Sequence, residues 1–294
     1  MSKLSSSTID ALRAAARGQA LAPDDAGYDD ARRIWNAMVD RRPAVIMRCA
    51  GAADVRHAVN FAREHQLTVA MRGGGHNIAG SAVCDGGMMI DLSPMKSVRI
   101  DPERSRAYVE PGATLADFDH EAQAFGLAVP LGINSTTGVA GLTLGGGFGW
   151  LTRRFGMTID HLVSADVVTA DGQLLHASES ENPDLFWALR GGGGNFGVVT
   201  MFEFQLHPVG PEVYGGLVVV PLEQGRQALA RYRDALPGMP RELTVWAVLR
   251  QAPPLPFLPE SVHGKPIVAF AACYTGGVDA GPEALQVVRS LGEP

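Results

Sequence analysis

The chain lacks a basic excess, a set of cysteines that could all pair, and any long apolar run. Its 25 Lys and Arg against 31 Asp and Glu give a net charge of −6, so no overall positive field exists to attract nucleic acid or an anionic membrane. The three cysteines (Cys49, Cys84 and Cys273) form no CxxC pattern, which favours reduced thiols. No run approaches about 18 apolar residues, and residues 1–5 hold no apolar core of the signal-peptide type. We therefore expect a cytoplasmic protein with no membrane or nucleic-acid partner.

The histidines lack the spacing of metal ligands. Six of them show no pattern with Cys, Asp or Glu that would bind a metal: His57, His65, His120, His176, His207 and His263. The sequence therefore predicts no metal site.

What the chain does contain is glycine, 35 residues of 294, gathered in clusters between apolar runs. That distribution is typical of ligand-binding loops on a folded scaffold rather than of a repeat. With 46 % hydrophobic residues the chain can bury a sizeable core, and its length suggests about two domains. Three clusters stand out, at residues 73–75, 138–149 and 191–197.

The first cluster ends in an imidazole. A short apolar stretch, Thr68 to Met71, predicts a buried strand, and Arg72-Gly73-Gly74-Gly75-His76 follows it. Glycines let backbone N–H groups crowd against an anion, and Arg72 adds donors suited to phosphate. By itself the segment fits a glycine-rich hairpin with a surface histidine equally well. The other two clusters favour a bound cofactor.

The third cluster contains the dinucleotide fingerprint in the wrong context. Gly192 to Gly197 is G-x-G-x-x-G, but it follows a helical pattern at 184–189 and precedes a strand at 198–206. A Rossmann site needs a strand before the fingerprint and a helix after it. The order is reversed, so NAD on a Rossmann fold is disfavoured.

The remaining pattern predicts mixed helices and strands. We expect a helix over 8–17 capped by Ser7, a β-α-β unit over 44–71 and a hairpin over 163–177 around Asp171-Gly172. Pro and Gly at 208–211 indicate a domain boundary. Beyond it we predict strands at 217–220, 243–249 and 267–274 and helices at 223–236 and 282–291. These elements favour a sheet with helices on one face.

Four motifs together resemble one family. They are residues 72–77, Pro111-Gly112-Ala113-Thr114, residues 138–151 and residues 190–200. In this order they resemble the FAD-linked oxidases with a PCMH-type FAD-binding domain (the vanillyl-alcohol-oxidase superfamily), closest to its berberine-bridge-enzyme-like branch. The match covers about residues 40–210. It implies an α+β fold: a PCMH-type FAD-binding domain of two α/β subdomains, followed by a partial antiparallel-sheet substrate domain. The corresponding division is a helical segment at 1–39, the FAD-binding domain at 40–210 and the partial substrate domain at 211–294.

The resemblance also implies a cofactor site. Residues 72–75 become the pyrophosphate loop, and His76 becomes the covalent link to the 8α-methyl group of FAD. A neutral imidazole is a competent nucleophile near neutral pH. The residues predicted to bind the cofactor are Arg72, Gly73, Gly74, Gly75, His76, Asn77, Pro111, Gly112, Thr114, Gly138, Gly141, Gly145, Gly146, Gly149, Leu151, His161, Asn195, Gly197 and Val198.

One position departs from the family pattern. Many members carry a second covalent link, through a cysteine just before the Gly-Val-x-Gly motif. Aligned on Gly138-Val139-Ala140-Gly141, that position holds Asn134. Asparagine has no nucleophilic sulfur, so we expect a single link through His76. Cys84 lies outside the motif and is expected to be a packed thiol.

Several side chains admit two interpretations. His161 either contacts the flavin or is satisfied by a backbone carbonyl. Trp246 either faces the flavin or is ordinary core. Arg153 and Arg154 could reach a phosphate, although a solvated pair is favoured.

The implied activity is oxidation of a CH–OH or CH–NH group of a small organic substrate, with hydride transfer to FAD and oxygen as the acceptor. The alternative is a truncated FAD-binding module with little or no turnover, since family members continue past this length into a further segment. No residue matches the family's catalytic base, and the sequence identifies neither the substrate nor the oligomeric state.

Overall fold

The fold is α+β, as predicted. A computed structural model describes residues 4–292. The regular elements are α1 (Ser6–Ala15), β1 (Gln19–Leu21), α2 (Tyr28–Ala31), β2 (Val45–Arg48), α3 (Ala52–Glu64), β3 (Val69–Arg72), β4 (Met88–Asp91), β5 (Val98–Asp101), β6 (Arg106–Val109), α4 (Leu115–Gln123), β7 (Leu127–Ala128), α5 (Val139–Leu144), α6 (Thr152–Phe155), β8 (Leu162–Val168), β9 (Leu174–Ser178), α7 (Pro183–Leu189), β10 (Val198–Gln205), β11 (His207–Pro208), β12 (Tyr214–Pro221), α8 (Gly225–Ala235), β13 (Leu243–Gln251), β14 (Pro266–Tyr274), α9 (Gly281–Ala284) and α10 (Gln286–Arg289).

These elements divide into two compact units. The first comprises residues up to 149 together with 157–208, and the second comprises 150–156 together with 209 onward. The second unit resumes at Val209, inside the boundary that the sequence indicates at 208–211. Its short segment 150–156 has no counterpart in the sequence prediction. Among residues 4–292, no helix is long and apolar enough to cross a bilayer.

The first unit contains a four-stranded sheet in the order β1-β2-β4-β3. The predicted β-α-β unit is present as β2, α3 and β3. The two strands are not neighbours, because β4 pairs in parallel with both. All four residues of β4 are buried, so the most buried strand lies in the interior of the sheet. β3 ends at Arg72, which places the first glycine cluster directly after the sheet.

A second sheet of the first unit has the order β5-β6-β10-β8-β9 and is antiparallel throughout. The hairpin predicted around Asp171-Gly172 is confirmed as β8 and β9, with Gly172 at φ +81°. Phe118 of α4 and Phe202 and Phe204 of β10 are fully buried in its core. The third glycine cluster joins α7 to β10, the helix-to-strand order that the sequence predicts.

Two predicted helices differ in their ends. Helix α1 begins at Ser6, and its N-cap is Ser5, whose side chain accepts from the backbone N–H of Thr8; the prediction of Ser7 is wrong. The predicted helix 282–291 is instead the two short helices α9 and α10. Leu285, Val288 and Leu291 are buried at a strict spacing of three, and Val288 and Leu291 donate to carbonyls three residues back. That spacing matches the tighter three-residue turn.

The second unit contains the antiparallel sheet β12-β14-β13. Helix α8 packs on it, and the Tyr232 hydroxyl donates to the Val245 carbonyl at 2.7 Å. Phe270 of β14 is fully buried beneath. The three predicted strands and the helix are therefore present.

The expectation that Arg153 and Arg154 form a solvated pair is wrong. Arg153 donates to the carbonyls of Leu236 (3.0 Å) and Met239 (2.9 Å). Arg154 donates to the carbonyl of Thr275 at 2.6 Å. Both guanidinium groups therefore fasten the segment 150–156 to the rest of the second unit. They are not directed to a phosphate.

Candidate cofactor site

Two neighbouring cavities lie in the first unit, where the glycine clusters meet. Their volumes are about 290 and 500 Å³, close to the lower end of the usual range of small-molecule sites. They share Met71, Gly73, Asn77, Ala82 and Gly141. Twelve of the predicted cofactor residues line one or both: Gly73, Gly74, Gly75, His76, Asn77, Pro111, Gly138, Gly141, Gly145, Asn195, Gly197 and Val198.

Some of these glycines are required by the protein itself. A Cβ on Gly74 would lie 2.4 Å from the backbone nitrogen of Gly138, so the first and second clusters pack backbone to backbone. A Cβ on Gly73 would lie 2.8 Å from the carbonyl oxygen of Pro111. Real Cβ atoms do not approach this closely, and a side chain at either position would push the loop away from its neighbour.

Gly141 is different, because no neighbouring protein atom would clash with a side chain at this position. A Cβ at this position would meet nothing within 4 Å, and its φ is not positive. Gly141 lies inside α5, where glycine costs roughly 1 kcal/mol relative to alanine. Nevertheless it lines both cavities. The space left by its missing side chain is therefore available to a ligand, and a cradle of this kind fits the close approach that a flavin needs.

His76 is held from two sides. The ring of Trp35 stacks on it with centroids 5.3 Å apart and an interplanar angle of 23°. The backbone N–H of Trp35 donates to the Gly75 carbonyl at 3.1 Å, which fixes the indole beside the loop. Nε2 of His76 lies 3.0 Å from the Thr136 hydroxyl oxygen. Burial lowers the pKa of the imidazole, while a hydrogen bond with the Thr136 backbone acts in the opposite direction. The neutral, nucleophilic form is thereby favoured.

Arg72 is engaged with the protein. Its guanidinium donates to the Ala31 carbonyl at 2.6 Å, and its Nε lies 3.9 Å from Oδ1 of the buried Asp91. Asp91 also accepts from Arg48 at 3.2 Å. Arg72 lines neither cavity, so in this structure it anchors the end of β3. Contact with a phosphate stays a prediction.

The other predicted residues outside the two linings are Gly112, Thr114, Gly146, Gly149, Leu151 and His161. A Cβ on Gly112 would meet the Leu92 carbonyl at 2.1 Å, and one on Gly149 would meet the Leu131 carbonyl at 1.8 Å. Gly146 has φ +101°. Thr114 caps α4 in a reciprocal capping box with Asp117. The folded protein itself accounts for Gly112, Gly146, Gly149 and Thr114.

Leu151 and His161, the last two of these six predicted residues, lie in other parts of the structure. Leu151 belongs to the second unit, just before α6. His161 is buried, and its Nδ1 lies 3.0 Å from Nε2 of His207. One of its partners is thus another imidazole. Trp246 stacks on Trp150 in the second unit with centroids 4.6 Å apart.

Several residues at the site carry no sequence signal. Trp35 and Thr136 reach His76 from segments 41 and 60 residues away in the chain. Ser81 and Ala82 line the larger cavity, although nothing in their local pattern marks them. Thr137, which lines the smaller cavity, could have been included because it directly precedes the second glycine cluster.

Comparison with known proteins identifies the class. Residues 43–178 match the family model described as an FAD binding domain. The chain is 36 % identical over 278 residues to (R)-6-hydroxynicotine oxidase of Paenarthrobacter nicotinovorans, covering 94 % of this chain and 59 % of that enzyme. Among solved structures, xylooligosaccharide oxidase of Myceliophthora thermophila superposes with a TM-score of 0.82 at 31 % identity, covering 97 % of this chain and 59 % of that one.

A third protein supports the fold alone. The berberine-bridge-enzyme-like protein 1 of Physcomitrella patens has a TM-score of 0.85 at 23 % identity, with 97 % of this chain and 60 % of that chain covered. Fold and site together define a flavoprotein with a PCMH-type FAD-binding domain. Over nearly its whole length the chain is similar to FAD-linked oxidoreductases, which confirms the resemblance seen in the sequence. It spans about 60 % of the length of the relatives that it matches.

Proposed function

We propose that this chain is the FAD-binding part of an oxidase that removes hydride from a CH–OH or CH–NH group of a small organic substrate. The observation that carries the proposal is the pair of cavities lined by three glycine clusters and by one imidazole, His76. The names of the relatives, a hydroxynicotine oxidase and a xylooligosaccharide oxidase, support amine and sugar substrates with oxygen as the acceptor. We assign FAD binding to residues 40–210 and substrate binding to 211–294.

FAD would supply the hydride acceptor, and the protein would position it. Gly73, Gly74 and Gly75 would hold the cofactor through backbone N–H groups. Asn195 donates its amide to the Gly192 carbonyl at 2.8 Å, which leaves its side-chain oxygen as an acceptor. His76, with its lowered pKa, would provide the nucleophilic nitrogen for a covalent bond to the cofactor.

The second candidate is an FAD-binding module with little or no turnover, and one observation favours it. Among the described residues that line the two cavities, His76 is the single side chain that titrates. Oxidation of an alcohol needs a base for the hydroxyl proton, and the loss of a general base typically costs about 10²–10⁴-fold in rate. Anaerobic mixing with candidate substrates separates the two: bleaching of the flavin absorbance shows an oxidase, and unchanged absorbance with every class of substrate favours the module.

We expect a single covalent flavin, attached to His76. In acid-denatured gels under ultraviolet light the wild-type band should fluoresce, and the His76→Ala band should not. A matched control is His57→Ala, since His57 is exposed on α3 and lines neither cavity; its band should fluoresce like the wild type. Digestion and mass spectrometry should find one flavin-bearing peptide. Fluorescence in His76→Ala, or a second cross-link at Cys84, would contradict the assignment.

A further inference from the structure

Asn134 stands where many relatives have a second flavin-linking cysteine, and the structure gives it hydrogen bonds of another kind. Its Oδ1 accepts from the backbone N–H of Thr136 at 3.2 Å and from the Thr136 hydroxyl at 3.0 Å. The same hydroxyl oxygen lies 3.0 Å from Nε2 of His76. The three side chains thus form a short chain of hydrogen bonds that ends at the imidazole.

The donor and the acceptor of each of these hydrogen bonds follow from counting protons. The backbone N–H of Thr136 can only donate, so the Asn134 atom facing it must be the oxygen and not the amide nitrogen. That oxygen has no proton, and the Thr136 hydroxyl therefore donates its single proton to Asn134. The hydroxyl can then only accept from Nε2. A neutral His76 in this arrangement carries its proton on Nε2 and its lone pair on Nδ1.

We infer that Asn134 and Thr136 are positioning residues that hold neutral His76 as the Nε2–H tautomer. The inference rests on the covalent attachment in the proposed function. Nδ1 makes no side-chain hydrogen bond among residues 4–292. The ring of Trp35 stacks on the imidazole, and burial lowers the pKa of His76, which favours its neutral form.

The bond would form with a complete balance of atoms. A C–N bond replaces one C–H bond of the 8α-methyl group, and the imidazole gives up its Nε2 proton. The two hydrogens leave with two electrons, which molecular oxygen takes up as hydrogen peroxide. The proton that departs faces Thr136, an exposed residue, so a path to solvent lies beside it.

The first test reads the tautomer without the cofactor. Protein labelled with ¹⁵N-histidine and prepared from riboflavin-starved cells is measured well above the free imidazole pKa of about 6.5. His76→Ala identifies the resonances. Wild type should show Nε2–H. Thr136→Val should lower the ratio of Nε2–H to Nδ1–H about fivefold, the equivalent of one ordinary hydrogen bond. Thr136→Ser keeps the hydroxyl and should match wild type.

Asn134→Leu gives the sharper contrast. Without the asparagine oxygen, the Thr136 hydroxyl is free to donate to Nε2, which stabilises the opposite tautomer. The ratio should therefore fall further than in Thr136→Val. Asn134→Asp keeps an acceptor oxygen and should retain the wild-type tautomer. A wild-type Nδ1–H signal, or one ratio shared by wild type, Thr136→Val and Asn134→Leu, would overturn the inference.

The second measurement is the rate of covalent flavin incorporation when FAD is added. Thr136→Val and Asn134→Leu should slow it in the order of their tautomer ratios, and Thr136→Ser should restore it. Equal rates in all four proteins would also overturn the inference. If wild type incorporates no covalent flavin while the tautomer still responds to these substitutions, the proposed attachment fails and the tautomer assignment stands.

Discussion

At the residue scale, the site separates glycines that the fold needs from glycines that a ligand needs. Gly74 and Gly138 are packed backbone to backbone, and a Cβ on either would meet the other within 3 Å. Gly141 has open space at its Cβ position and lines both cavities. Substitutions at these two kinds of position should therefore fail in different ways.

Gly141→Ala should stabilise the protein and weaken FAD binding. Alanine is the better helix former, so the free energy of unfolding of the cofactor-free protein should rise by about 0.5–1 kcal/mol. A methyl group inside the cradle should raise the Kd of FAD by roughly 10–100-fold, since overpacking typically costs about 1–3 kcal/mol. The affinity is measured in the His76→Ala background, where binding is expected to be reversible.

The matched control for that measurement is Gly238→Ala. Gly238 also has open space at its Cβ position, but it lines neither cavity. Its substitution should leave the Kd of FAD unchanged. An unchanged Kd in Gly141→Ala would show that the flavin does not approach α5.

The pKa of His76 predicts how the attachment depends on pH. Because burial lowers this pKa from its usual value, the imidazole stays neutral below the pH at which an exposed histidine protonates, about 6.5. The rate of covalent incorporation should be flat above pH 6.5 or so and reach half its maximum at a lower pH. The unfolded chain takes up this proton first, so the contribution of His76 to stability is complete above about 6.5 and is lost as the pH falls through the folded pKa. A midpoint above about 6.5 would contradict the assignment of His76 as nucleophile.

At the element scale, the local sequence pattern predicted the secondary-structure elements that local interactions determine. The Asp171-Gly172 turn marks its hairpin, and the alternation at 198–206 marks β10. The partners of Arg72 and Arg153 could not be predicted in this way. Asp91 and the carbonyl of Met239 are brought to them only by tertiary folding, and a guanidinium can donate hydrogen bonds to a carboxylate, a carbonyl or a phosphate.

Substitutions of Thr114 distinguish a helix N-cap from a residue that contacts the ligand. Its side chain and that of Asp117 satisfy the first turn of α4 reciprocally, and it lines neither cavity. Thr114→Ala should lower the free energy of unfolding by about 1 kcal/mol, as measured by denaturant titration. Thr114→Ser should restore it. FAD affinity should be retained in both, whereas a large rise in Kd would favour the direct contact that the family pattern implies.

At the scale of the whole molecule, the sheet of the second unit leaves apolar side chains in water. β12 and β13 are its edge strands within the described part of the chain. Leu217 and Leu249 on them are 47 % and 59 % exposed. Unpaired edges with apolar side chains favour association between copies.

We therefore expect the weight-average mass in sedimentation experiments to rise with protein concentration. Leu249→Lys should reduce that rise by placing a charge on the edge. Met38→Lys introduces the same charge at a fully exposed position of the first unit and should leave the rise unchanged. A mass that stays monomeric at every concentration would contradict this prediction.

The order of strands in the five-stranded sheet bears on how the protein is made in the cell. β10 lies at its centre, between β6 and β8, yet it is the last of the five in sequence. During synthesis the hairpins β5–β6 and β8–β9 emerge from the ribosome first and cannot join until residues 198–205 arrive. Phe202 and Phe204 then complete the core on one face of the sheet. The nascent chain thus completes this sheet in one late step. Until that step the two hairpins remain exposed to chaperones and proteases.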